Sequence, residues 1–208
     1  MSAKSWTKHF DRIASLYDQV PSGEVCRRAS GSALEEREII AREIGPNQPP
    51  REILDLGSGP GTIMLEAARN GHSGTLVDLS TRSLAYAQQR AQHFGVSDKL
   101  TFHAGDALSV TSNSQFDLIL CLGPLYHAPD IKYARELIAL VKKVLKRPGH
   151  CYWGCVDAEL LAALPEVQWP GQWHGPDHQW IIAELGASDH QLWRWPPSPI
   201  CLLDTVLS

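Results

Sequence analysis

The chain lacks any long apolar run. Nothing in its 208 residues approaches the roughly 20 consecutive apolar residues that a membrane-spanning helix needs. Residues 1–10 are polar and carry no apolar signal core. These two absences predict a soluble, cytoplasmic protein with no membrane partner. Concentrated positive charge is also missing. The formal net charge is −4, and basic residues gather only at Arg27-Arg28, Lys142-Lys143 and Lys146-Arg147. Polyanion binding relies on clustered Lys and Arg, so no nucleic-acid partner is expected. The last two groups suit the exposed C-terminal end of a helix, where cations favour the dipole. The five cysteines, Cys26, Cys121, Cys151, Cys155 and Cys201, form no disulfide framework. Cys121 lies in an apolar strand pattern, and the Cys151–Cys155 spacing is odd for zinc, so reduced thiols are expected. His9, His103, His174, His178 and His190 have no ligand spacing, and no metal is expected. Internal repeats and a second domain are likewise not seen.

What the chain does have is alternation. Its hydrophobic content of 43% against 20% charged is enough for a sizeable core, and its length suits one compact domain. Strand-like apolar runs at 51–56, 74–78, 100–103, 116–122 and 150–156 alternate with helical patterns at 61–70, 81–94 and 130–146. Such alternation predicts an α/β fold, doubly wound, with a mostly parallel sheet and helices on both faces. Right-handed crossovers then line the strand C-termini along one edge. Upstream, 5–17 places Trp6, Phe10, Ile13, Ala14 and Tyr17 at helical spacing, and 32–44 is a second helix with Glu and Arg at i, i+4. Downstream, helices are expected over 157–167 and 177–185, the latter closed by Gly186. An antiparallel strand pair is expected over 191–195 and 200–207. This last quarter carries five of the seven tryptophans.

The densest signal is Ile53-Leu54-Asp55-Leu56-Gly57-Ser58-Gly59-Pro60-Gly61. A buried-type strand runs into a glycine turn, and a helix follows at once. That order lets backbone N–H groups approach a nucleotide-type ligand, and glycine supplies both positive φ and room. Thr75-Leu76-Val77-Asp78 ends a second strand in an acid, 23 residues after Asp55. Asp78 suits two ribose hydroxyls; the other reading is a helix N-cap before Ser80-Thr81. Gly105-Asp106-Ala107 follows the third strand, with Asp106 either a ligand acceptor or a surface turn acid. Phe116 to Leu122 leads into Gly123-Pro124-Leu125-Tyr126-His127. Dinucleotide turns read G-x-G-x-x-G. Here the third glycine comes one residue early, with Pro60 intervening, which favours a mononucleoside with a charged amino-acid tail.

Taken in order, these motifs resemble the class I S-adenosylmethionine-dependent methyltransferases over about three quarters of the chain, from Trp6 to Val156. The L-G-P-L-Y-H string resembles a small-molecule subgroup. The resemblance implies a seven-stranded, Rossmann-like sheet with an N-terminal helical lid. It implies one domain over 1–208: lid helices in 1–45, a cofactor-binding core in 51–156, and a substrate and edge-strand region in 157–208. S-adenosyl-L-methionine would be the cofactor and S-adenosyl-L-homocysteine the product. Gly57, Ser58, Gly59 and Gly61 would cradle the methionine and ribose, with Asp55 near the ammonium or the turn amides. Asp78 would take the ribose, Leu79 would lie on the adenine, and Asp106 and Ala107 would read the adenine edge. Leu122 and Gly123 would flank the sulfonium. The string Phe10-Asp11-Arg12-Ile13-Ala14-Ser15-Leu16-Tyr17-Asp18 resembles the family's lid and puts Tyr17 over the cofactor; the alternative is a helix covering the sheet edge. Arg28 is a lid-side candidate for the cofactor carboxylate.

In this family the protein orients the reactants and sometimes supplies a base. His127 is the candidate base, with Tyr126 and Tyr17 beside it. The other reading of His127 is a structural residue before Pro129. Gly123-Pro124-Leu125-Tyr126 is a relative of N-P-P-Y, but Gly123 stands where the target-nitrogen binder would be. That departure points away from DNA, RNA or protein glutamine and toward O or N of a small organic acceptor. The alternative is a cofactor-binding protein that does not methylate, either a pericyclase-like catalyst or a regulatory subunit. The tryptophan-rich tail would also serve as an interaction surface, with a homodimer as the partner state.

Overall fold

The computed structural model describes residues 33–111, 115–125, 127–157, 175–194 and 200–208. The expected lid helix over 5–17, with Tyr17, lies outside the described residues, as do Arg28, Tyr126 and most of the helix expected over 157–167. The strands follow the order β3-β2-β1-β4-β5-β7-β6 in one seven-stranded sheet. The chain divides near Val110 into two compact units.

The first unit holds α1 (Ala33–Ile44), β1 (Glu52–Leu56), α2 (Thr62–Arg69), β2 (Ser73–Asp78), α3 (Thr81–His93) and β3 (Leu100–Ala104). Its three strands are parallel, with Leu56 opposite Val77 and Asp78 opposite Ala104. This register brings the carboxyl ends of β1, β2 and β3 level. Ile53, Leu54, Leu56, Leu76 and Val77 are fully buried, the near-continuous apolar pattern of a parallel strand covered on both faces. The helices bury one stripe each: Met64, Leu65, Ala67 and Ala68 on α2, and Leu84, Ala87 and Ala91 on α3. Gly74 admits no side chain, since a Cβ there would stand 2.1 Å from the Ile53 carbonyl.

The second unit holds β4 (Phe116–Cys121), α4 (Ile131–Val144), β5 (Leu145–Val156), α5 (His178–Leu185), β6 (Asp189–Arg194) and β7 (Ile200–Leu207). β4 and β5 are parallel, while β7 pairs antiparallel with both β5 and β6. Asp130 caps α4 by accepting from the Tyr133 amide at 2.9 Å, and Asp177 caps α5 by accepting from the Trp180 amide at 2.8 Å. Gly186, with φ of 66°, ends α5. α4 and α5 meet through Arg135 and Lys142, which reach the Glu184 side chain and carbonyl. In the buried face, Trp153 Nε1 donates to Thr205 Oγ1 at 2.9 Å, and that hydroxyl donates on to the Cys151 carbonyl. Cys155 and Cys201 face each other across β5 and β7, with sulfurs 3.3 Å apart and both thiols free.

The main difference from expectation lies between α4 and β5. The helix ends at Val144 rather than 146, and the strand begins at Leu145 rather than 150. Pro148 disfavours helix at the residue before it. Leu145 is extended and buried, and pairs with Phe116. The β4 ladder then skips from Leu145 to His150, so Lys146 to Gly149 stand outside that ladder. Among the described residues, no helix is long and apolar enough to cross a membrane.

Candidate functional site

The glycine loop joins β1 to α2. Gly57, Gly59 and Gly61 all have φ between 53° and 74°, the left-handed region that favours glycine. They differ in surroundings. A Cβ at Gly61 would lie 2.7 Å from Leu76 Cδ2 and 3.1 Å from Ala87 Cβ, whereas one at Gly59 would meet nothing within 4 Å. Gly61 is therefore glycine for packing, and Gly59 fronts open space that a ligand can enter.

The loop's N–H groups were expected to face that ligand, and the structure corrects this. Gly57 and Ser58 both donate to the Val77 carbonyl, at 2.8 and 3.1 Å, and Gly61 donates to the Ser58 carbonyl at 3.0 Å. Gly59 donates to Asp78 Oδ2 at 2.7 Å. Pro60 has no N–H to offer. Every loop donor is thus engaged within the protein. Ser58 Oγ is different: it is buried and makes no hydrogen bond.

Two carboxylates border the loop. Asp55, near the end of β1, is 4% exposed, and burial, followed by the nearby Asp78 charge, pushes its carboxyl up to about 8. Asp78 Oδ1 accepts from the Ser80 amide at 2.8 Å. Ser80, not Asp78, caps α3, because its Oγ accepts from the Ser83 amide at 3.1 Å. Asp78 thus ties the loop to the start of α3. At the end of β3, Asp106 caps a short 3-10 turn over Ala107–Ser109 by accepting from the Leu108 amide at 2.9 Å. Ala107 is buried and Leu79 half-buried. His103 Nε2 and Ser109 Oγ lie 2.9 Å apart beside this turn.

The loop after β4 lies in the second unit. His127 donates its backbone N–H to the Gly123 carbonyl at 3.3 Å, and Ala128 donates to the Leu125 carbonyl at 3.1 Å. His127 and Leu122 are half-buried, Leu125 is fully buried, and a Cβ at Gly123 would meet nothing within 4 Å. The sequence reading missed Gly154. A Cβ there would stand 1.9 Å from the Leu122 carbonyl, so this β5 glycine lets the Leu122 backbone lie flat on the strand. The signal was present, since glycine inside a strand often marks close backbone approach.

A model of the methyltransferase domain matches residues 49–181, more than half of the chain. The protein belongs to this methyltransferase family, whose methyl donor is S-adenosylmethionine. Over 109 residues it is 36% identical to the uncharacterized protein YjhP of Escherichia coli, covering 51% of this chain and 44% of that protein. It is 30% identical over 115 residues to a ubiquinone biosynthesis O-methyltransferase of Paracidovorax citrulli, covering 55% and 47%. The chain therefore spans under half the length of these relatives. Among solved structures, the N-methyltransferase NodS of Bradyrhizobium japonicum, in complex with S-adenosyl-L-homocysteine, superposes with a TM-score of 0.73 over 96% of this chain and 97% of its own, at 17% identity. That likeness establishes the seven-stranded Rossmann-like fold.

Proposed function

We propose that this protein binds S-adenosyl-L-methionine and transfers its methyl group to O or N of a small organic molecule, with residues 1–208 acting as one domain. The observation that carries the reading is the electrostatics of the glycine loop. A pyrophosphate cofactor is held by free N–H donors at the start of the helix. Here the donors are engaged internally and two acids stand alongside. Such a site suits a cation bearing hydroxyls. The residues fit that group: Asp55 for the charged amino-acid tail, the Asp78 carboxylate for ribose hydroxyls, and unpartnered Ser58 Oγ for a further polar contact. Gly59 leaves room for close approach. Leu79, Asp106 and Ala107 would enclose the adenine, and Leu122 the reacting end.

When bound, S-adenosylmethionine supplies an electrophilic methyl group on sulfur. The chain's own contribution is orientation and proton removal. In this reading His127 takes the acceptor proton, Tyr126 and Tyr17 help hold the acceptor, and the 1–45 helices close over the cofactor while 157–208 supplies substrate contacts. The L-G-P-L-Y-H string supports the small-molecule reading, with the cytoplasm as the place of work and a homodimer as the partner state.

The test is calorimetric titration with S-adenosyl-L-homocysteine, with NAD as control. Micromolar binding of the first alone is expected; binding of NAD alone, or of neither, would overturn the reading. Release of S-adenosyl-L-homocysteine with a panel of small O and N acceptors then separates methyl transfer from a non-methylating cofactor binder.

A further inference from the structure

Helix α3 reaches the glycine loop through Arg90. Its Nη1 donates to the Pro60 carbonyl at 3.2 Å and lies 3.4 Å from Thr62 Oγ1. The guanidinium sits 5.7 Å above the Tyr86 ring, one turn earlier on the helix. Ala87, on the intervening turn, is one of the residues that a Cβ at Gly61 would touch, 3.1 Å away. Tyr86 and Ala87 precede Arg90 by four and three residues, so both neighbour it on the helix surface. That face supports the loop over Pro60, Gly61 and Thr62.

The loop needs such support. Three glycines at positive φ flank a proline with no N–H, so an untied loop has much freedom to lose when a ligand binds. Asp78 restrains it at the Gly59 amide. On the Pro60 side the Gly61 amide closes back on the Ser58 carbonyl, and Arg90 reaches this part of the loop from outside it. We propose that Arg90 is a positioning residue for cofactor binding, which holds Pro60 to Thr62 in the binding-competent conformation and acts through the loop. The aromatic platform and the planar guanidinium fix the donor's direction, so little order remains to be gained on binding.

This inference rests on the S-adenosylmethionine reading, and the test keeps the two apart. Arg90→Met keeps the aliphatic stem and removes the donors; Arg90→Lys restores a charged donor. Amide hydrogen exchange is measured without ligand, and S-adenosyl-L-homocysteine affinity by calorimetry. In Arg90→Met, exchange at Gly59 and Gly61 should rise about tenfold while the β1–β3 ladder amides stay unchanged, and affinity should fall about tenfold. Arg90→Lys should recover most of both. A lower melting temperature with unchanged loop exchange and affinity would overturn the proposal, as would uniform acceleration across the ladder. If the wild-type protein binds no S-adenosyl-L-homocysteine, the cofactor reading fails and the role given to Arg90 falls with it, while loop exchange still decides whether the bracing exists.

Discussion

The two halves of this chain hold their candidate functional residues by different means. In the first unit, the loop at 57–61 is shaped by backbone: three left-handed glycines, three hydrogen bonds from loop amides to carbonyls, and one carboxylate that ties Gly59 to Ser80. In the second unit, the Leu122 to His127 loop is positioned by contact, with Leu122 resting on a strand that leaves out a Cβ at Gly154. Backbone devices announce themselves in short motifs, because only glycine and proline tolerate the geometry. Contact devices do not, because the partners lie thirty residues apart.

The contrast can be broken by substitution. The largest effect is expected at Gly154→Ala, where the new methyl group would overlap the Leu122 carbonyl. We expect a loss of about 3 kcal/mol or more, a fall of roughly 6–12 °C in Tm. A shift below about 2 °C would mean that the second unit yields as easily as a loop. Next is Asp78→Ala, which removes the acceptor for two amides and for the proposed ribose. S-adenosyl-L-homocysteine affinity should fall about 100-fold, and unchanged affinity in a titration would refute the role.

Asp55 sharpens the comparison through pH. Its carboxyl is raised to about 8 in the fold from an ordinary value of 3.8. The folded state then holds a proton that the unfolded chain has released. The stability this group contributes is complete below about 4 and is lost as pH rises through about 8, at up to about 1.4 kcal/mol per pH unit. Asp55→Asn should flatten that decline in denaturant unfolding of the ligand-free protein; an unaltered slope would exclude Asp55 as its source. Binding of a cationic ligand beside Asp55 should release protons below pH 8, visible as a buffer-dependent binding enthalpy. The smallest effect is expected at Lys146→Met. Its bond to Asp117, 2.9 Å long, joins side chains that are 42% and 34% exposed. Loss of under about 1 kcal/mol is expected, and a larger loss would show that the irregular entry to β5 depends on it.

How much was legible follows from the same distinction. The strand and helix alternation, the antiparallel pair expected at 191–195 and 200–207 and found at Asp189–Arg194 and Ile200–Leu207, and α5 with its Gly186 cap were readable, because periodicity and end signals are local. The 144–149 segment was misread because its composition continues the helix while Pro148 and the buried Leu145 favour a strand. The loop was located correctly, but its amides were misassigned: sequence shows that glycine is there, not which carbonyl each N–H finds. Gly154 went unnoticed because its reason, the Leu122 carbonyl, lies on another strand.

The indole–hydroxyl bond from Trp153 to Thr205 has a consequence for how β5 and β7 find each other. An antiparallel pair can slide by two residues and still present the same faces to the core. Such a slide would bring Leu203 or Leu207 to the place of Thr205. The Trp153 N–H would then be buried without an acceptor, at a cost of about 1–3 kcal/mol. This polar contact thus works as an alignment mark, distinguishing the correct pairing from near neighbours that bury almost the same surface.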